Sequence, residues 1–409
     1  MASAALKIAV IGGGLGGLSA AVGLHQAGFE VEVYEQAPDL TQIGGGINMG
    51  PNAARVLRRL GLGPGLDREG VRPLGTHQRR WQDGRTLQKA ALNPQCEALY
   101  GAPHITIHRA DLLAVIAAGL PSERVHLGHR LVGLADQGEA IEAWFENGAR
   151  ISCDVLVGAD GIHSAVRAAL FGEEAPRFAG CVAYRGLVPV ERIADLGLEL
   201  GSQSWVGPGG HFVHYFVSRG QLLNFVGWTE LDTWNREDWT DRATIAQALA
   251  AFEGWHPQIH RIIGAADTCF IWALFDRDPL AHWSVGRATL LGDACHPMYP
   301  FMGQGAAQAI EDGATLAACL VAAGNGDPGG DPSGALKRYE ELRLPRVTRL
   351  QELSRANKTR FHMADGPAQQ ARDAEWAGMN NGAGDRSPNA LRWLYAHDPS
   401  ALEPASATA

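Results

Sequence analysis

Apolar positions follow two rhythms along this chain. Residues 7–11 (KIAVI) form a short, largely β-branched run, the pattern of a strand buried on both faces of a parallel sheet. Gly12-Gly13-Gly14-Leu15-Gly16-Gly17 follows at once, then an Ala/Leu-rich stretch that predicts a helix ending at Gly28. A second strand, Val31-Glu32-Val33-Tyr34-Glu35, closes on an acid. Two later apolar runs, 155–157 and 288–291, deliver Asp160-Gly161 and Gly292-Asp293 at or just past their carboxyl ends. Between them the rhythm changes. CVAYRGLVPV, SQSWVG, HFVHYFVS and QLLNFVGWTE alternate and are punctuated by Gly207-Pro208-Gly209-Gly210 and Ser218-Arg219-Gly220-Gln221, which predicts an antiparallel sheet. Residues 335–360 predict a charged amphipathic helix, with Pro345 expected to kink it.

Composition narrows the class. The chain has 409 residues with 46% apolar and 19% charged, enough for a large core and unlike a disordered or coiled-coil protein. The formal charge of -9, with no basic run, argues against nucleic acid as a partner. No apolar stretch approaches the roughly 18 to 20 residues that span a bilayer, so no membrane partner is expected. The first residues lack the regions of a secretory signal, and six scattered cysteines without a CxxC pair suit reduced thiols, so a cytoplasmic enzyme is expected. No spacing suggests a metal site. The 51 glycines stand out, and they cluster.

The first cluster has the form of a dinucleotide-binding turn. Gly12 permits the tight turn, Gly14 lets the backbone approach a pyrophosphate, and Gly17 allows the helix to pack closely on the strand. The helix start offers free amides, and Glu35 is placed for ribose hydroxyls. This motif alone does not separate FAD from NAD. Asp293 can take a ribityl or ribose hydroxyl, and the helix opening at Gly303-Gln304-Gly305 can face an electron-rich ring.

Together, Gly12–Gly17, Asp160-Gly161, Gly292-Asp293 and the run HPMYPFMGQGAAQAIED resemble the class A FAD-dependent aromatic hydroxylases of the para-hydroxybenzoate hydroxylase superfamily. The nearest likeness is to the group of salicylate hydroxylase, 3-hydroxybenzoate 6-hydroxylase and 6-hydroxynicotinate 3-monooxygenase, over roughly residues 5–360. The resemblance implies an α/β fold: a Rossmann-like FAD-binding domain (1–75, 100–178 and 276–345), an inserted antiparallel-sheet substrate domain (76–99 and 179–275) and a C-terminal helical segment (346–409). It implies non-covalent FAD held by Gly12, Gly14, Leu15, Gly17, Glu35, Gln36, Gly46, Arg109, Asp160, Gly161, Asp293, Gly303, Gly305 and Ala306. Gly44–Gly46 would let the flavin ring lie near the backbone. NADH or NADPH would dock transiently and O2 would be the oxidant, because no side chain activates dioxygen alone. For Arg109 a surface arginine, and for Asp160 a plain Asx turn, are the alternative readings.

The implied substrate is a small aromatic acid, a salicylate-like phenolic acid that gains a hydroxyl with or without loss of CO2. Alternation along HFVHYFVS puts His211, Val213, Tyr215 and Val217 on one face, expected to look at the substrate. Tyr215 and His211 are the candidates for handling the phenol proton. Pro300 would border the dry site, and Trp228 would wall it. Arg185 can pair with a carboxylate or equally with an acid across the sheet. Asn48 and Phe301 stand where pyridine-acid members tend to have histidine, which favours a carbocyclic substrate. Two rivals are a flavin reductase on the same scaffold and a non-catalytic flavin-binding protein. A monomer or homodimer is expected.

Overall fold

The computed structural model describes residues 6–40, 44–234, 241–324, 331–380 and 391–402. The first five residues, and 381–390 and 403–409 of the C-terminal segment, lie outside them. Two large sheets carry the molecule. The first has six strands in the order Ser284–Val285, Ala288–Leu290, Val155–Gly158, Lys7–Ile11, Glu30–Tyr34, Val125–His126. Lys7–Ile11 pairs in parallel with both Glu30–Tyr34 and Val155–Gly158, and the latter pairs in parallel with Ala288–Leu290. Three glycine-bearing turns therefore leave the carboxyl ends of three adjacent strands, the edge at which such sheets bind ligands. The Leu15–Gln26 and Gly305–Ala322 helices meet closely enough that a Cβ on Gly313 would lie 2.8 Å from Ala20 Cα.

The second sheet has eight strands: Arg242–Ala243, Cys269–Asp276, Arg177–Pro189, Leu222–Glu230, Gly210–Val217, Ser202–Gly207, Gly75–Arg80 and Thr86–Ala91. One face buries Phe212, Phe225 and Val182 against Phe252, Ile259 and Ile262 of the Ile245–Ala251 and Pro257–Gly264 region. The other face meets the short antiparallel strand pair Gly46–Met49 and Ile105–His108 and the ring of Phe301. Ser333–Phe361 is a single 29-residue helix that runs through Pro345. The tail returns over the first sheet's helices: Arg59 pairs with Asp398, and Thr315 Oγ1 donates to the Pro399 carbonyl. All six cysteines are free and buried. Among the described residues no helix is long and apolar enough to cross a membrane.

A buried polar cluster ties these parts together. Arg343 Nε donates to Asp312 Oδ1 at 2.7 Å and Arg343 Nη1 to Glu311 Oε2 at 2.6 Å, while Arg346 Nε donates to Glu311 at 2.8 Å. Asn52 Nδ2 donates to Glu311 at 2.6 Å, and the Gly292 amide and His296 Nε2 both reach Asp312 Oδ2. Cys295, His296 and Asp312 bring three possible ligand atoms within 4.8 Å, yet each is already engaged, Cys295 Sγ with the Gly292 carbonyl. Burial would raise the Asp312 carboxyl, but His296 and Arg343 beside it hold it below the usual range.

Removing one partner from such a cluster strands a buried charge. Arg343→Met should destabilise the protein by about 3–5 kcal/mol, read as a shifted denaturation midpoint. Because the folded-state value of Asp312 is depressed, its contribution is present above about pH 4 and is lost as the pH falls further. Asp312→Asn should therefore melt lower at pH 7 yet decline less steeply below pH 4; parallel acid limbs would contradict this.

Candidate active site

The first turn sorts its glycines by what surrounds them. Gly12 is left-handed at φ +111°, and a Cβ there would lie 2.3 Å from the Ala159 carbonyl oxygen. A Cβ on Gly17 would lie 2.0 Å from the Gly12 carbonyl oxygen, so only glycine lets the helix sit this close to the strand. Around Gly14 nothing lies within 4 Å: this is the open position, beside the start of the Leu15–Gln26 helix. Leu15 is buried and Gln36 exposed. The Glu35 carboxylate accepts from the Gly13 amide at 2.6 Å and from Ala37 at 2.8 Å, so it also braces the turn.

The second and third turns differ in chemistry. Asp160 spends its carboxylate on the next helix, accepting from Ser164 Oγ at 2.5 Å and from the amides of Ala165 and Val166. What Asp160-Gly161 leaves for a ligand is main chain, with Gly161 at φ +80°. Asp293, by contrast, opens into the cleft, and it interacts electrostatically with Arg109, which begins the Arg109–Ala117 helix. Gly303 takes a left-handed turn at φ +62°, then Gly305 and Ala306 open the Gly305–Ala322 helix, their side of it half-buried.

Gly44–Gly46 is crowded by two side chains. A Cβ on Gly44 would lie 2.7 Å from Arg109 Cβ, and one on Gly46 would lie 2.4 Å from Tyr215 Cε2. The glycines thus make room for Arg109 and Tyr215. Asn224 Oδ1 accepts from the Gly46 amide at 2.7 Å and so ties this strand to the eight-stranded sheet.

The inward face of that sheet follows the expected alternation. Tyr215 pairs with Asn224, Val213 with Val226, and His211 with Trp228. Val226 pairs in turn with Arg185, and Trp228 with Ala183. Val213 and Val226 stay half-exposed in mid-sheet, whereas Phe212 and Phe216 on the opposite face are buried. The face is therefore less tightly covered at the two valines, while Ala183, Trp228 and Phe301 beside them form a buried apolar cluster. Phe301 packs edge-on to His211 and Trp228 at 4.9 and 5.2 Å between ring centres, with Pro300 exposed at its neck and Asn48 against Gly303. Burial pushes Arg185 down to about 10, with Arg109 as the nearby like charge, and its guanidinium lies 5.7 Å over Phe270. Burial likewise raises the Tyr215 phenol, whose hydroxyl makes no hydrogen bond to a described residue.

An open glycine at a helix start, an acid and an arginine across a cleft, and a second helix start beyond them suit a dinucleotide flavin. A family model described as FAD binding domain matches residues 5–354. A 3-amino-4-hydroxybenzoate 2-monooxygenase from Streptomyces platensis is 43% identical over 367 residues, covering 90% of this chain and 91% of the relative. The chain belongs to the class A FAD-dependent aromatic hydroxylases. The hydroxylase also superimposes on Klebsiella pneumoniae HpxO complexed with FAD and uric acid, with a TM-score of 0.81, 30% identity and coverage of 92% and 95%. A salicylate hydroxylase substrate complex gives a TM-score of 0.80 at 27% identity, covering 99% of both chains. The hydroxylase thus works with FAD, NAD(P)H and O2.

Two residues of this hydroxylase escaped the sequence. Asn224 is a polar side chain within the apolar run Leu222–Trp228, alternating with Val226 and Trp228, and that exception was its signal. His362 hydrogen-bonds His211 from 151 residues away and gave no local signal. If Asp293 is a cofactor ligand, Asp293→Ala should weaken FAD binding about tenfold or more, the worth of a charged hydrogen bond. Flavin retained after dialysis, measured against wild type, checks this.

Proposed function

We propose that this enzyme hydroxylates a monocyclic hydroxybenzoate at a ring carbon and keeps the carboxylate, with 3-amino-4-hydroxybenzoate the first compound to test. The observation that carries the reading is the inward sheet face: Tyr215 and His211 stand beside half-exposed Val213 and Val226, with Arg185 in the same cross-strand row as the valines. A flat ring suits the valines and Trp228, a phenol suits Tyr215 and His211, and a carboxylate suits Arg185. The relative that is 43% identical acts, by its name, on such a ring at position 2.

In this reading Gly12, Gly14, Gly17, Arg109, Asp293 and the Gly303–Ala306 amides hold FAD, with the Asp160-Gly161 main chain alongside. Bound FAD supplies the reductive activation of dioxygen. The chain's own part is to bind the ring, fix its angle, hold its phenol oxygen and keep water out with Trp228, Phe301 and Pro300. Tyr215 donates to the phenolate oxygen, a bond that strengthens as negative charge develops there.

A panel of 3-amino-4-hydroxybenzoate, salicylate, 3-hydroxybenzoate and 6-hydroxynicotinate tests the assignment. The first should stimulate NAD(P)H oxidation most and yield a product one oxygen heavier. Stimulation by salicylate alone, with catechol formed, would replace this reading by a decarboxylating one. Tyr215→Phe should lower hydroxylated product per NAD(P)H about tenfold and raise peroxide to match. An unchanged product ratio would remove Tyr215 from the site.

A further inference from the structure

His211 is 2% exposed, and its Nδ1 lies 2.7 Å from His362 Nε2. His362, at the end of the Ser333–Phe361 helix, places its own Nδ1 3.1 Å from Glu230 Oε1. Glu230 ends the Leu222–Glu230 strand, and its side chain is 48% exposed. Three groups thus run in line from the substrate face to solvent.

The chemistry of the last group sets the protons of the others. A carboxylate only accepts, so His362 carries its proton on Nδ1. The lone pair of His362 Nε2 then accepts, so His211 carries its proton on Nδ1. His211 Nε2 is left bare, and it makes no hydrogen bond to a described residue. Burial, with His362 alongside, holds His211 well below the usual imidazole range. Burial also lowers His362, against the pull of Glu230, while Lys358 one turn back adds to the lowering. Around His211 stand aromatic rings, Trp228, Phe301 and Phe361. Lys358 Nζ is turned onto the Ala179 carbonyl, and the His362 carbonyl accepts from the Gly209 amide, which fixes the helix end against the sheet.

We propose that His211, His362 and Glu230 form a proton relay that carries the substrate's phenol proton to solvent, with His362 and Glu230 acting through His211. The inference rests on the hydroxybenzoate reading above. His211 Nε2 takes the phenol proton, the Nδ1 proton of His211 moves to His362 Nε2, and the Nδ1 proton of His362 moves to Glu230, which releases it. One proton enters and one leaves. When the hydroxylated ring regains aromaticity it loses the proton from the attacked carbon, and its ketone oxygen recovers one through the same relay run in reverse. That return restores both tautomers.

Two measurements on the FAD-loaded enzyme test this. Imidazole nitrogen NMR should show His211 and His362 neutral and protonated on Nδ1 between pH 6 and 8; an Nε2-protonated His362 would overturn the relay. His362→Gln can accept from His211 and donate to Glu230 but cannot pass a proton. With 3-amino-4-hydroxybenzoate bound and FAD content unchanged, it should slow the appearance of phenolate absorbance at least tenfold and flatten its pH dependence. Wild-type kinetics and pH profile in this variant would overturn the relay. If no hydroxybenzoate stimulates the wild type, the substrate reading fails on that ground, and the NMR tautomers still decide the hydrogen-bond order on which the relay depends.

Discussion

Two adjacent acids, Glu311 and Asp312, lie with no solvent exposure inside the protein, and everything near the cofactor cleft is referenced to them. Burying two carboxylates is tolerable only because Arg343 and Arg346 meet them with several hydrogen bonds in good geometry. Those bonds set the register of Ser333–Phe361 on Gly305–Ala322. Asp312 also grips the Gly292 amide, one residue before Asp293, and Glu311 grips Asn52, which precedes the Gly303–Gly305 turn in space through Gln304. A slip of one helical residue would break all of these at once. The cluster therefore specifies geometry more than it adds net stability.

Local chemistry was legible in the sequence, and distant chemistry was not. The Gly12–Gly17 turn is a steric argument over a few residues, and the structure repeats it atom for atom, with Gly14 open and Gly12 and Gly17 crowded. The inward and outward faces of Gly210–Val217 follow from alternation alone. Glycine at Gly44–Gly46 was legible as a close-approach site, whereas Arg109 and Tyr215, whose side chains crowd it, lie too far along the chain for a local pattern to name. For Asp160 the sequence left a ligand and an Asx turn open, and the carboxylate does accept from the amides of the helix it starts.

Tyr215 and Gly46 join two strands through one contact. The ring covers the glycine, and Asn224, its cross-strand neighbour, holds the same glycine's amide. Arg109, which follows the neighbouring Ile105–His108 strand, is tied to the same glycine run, since its amide donates to the Gly45 carbonyl. Gly46, Tyr215, Asn224 and Arg109 are therefore not independently adjustable.

The order of strands has a consequence for synthesis. Every strand of the eight-stranded sheet lies between residues 75 and 276, whereas the six-stranded sheet waits for Ala288–Leu290 to flank Val155–Gly158. A chain leaving the ribosome thus exposes all the strands of one sheet before the other can close. Val155–Gly158 must meanwhile keep an edge unpaired while more than a hundred further residues emerge. The acids Glu311 and Asp312 and the arginines that answer them arrive later still, so the buried polar cluster can form only after every strand of both sheets has emerged.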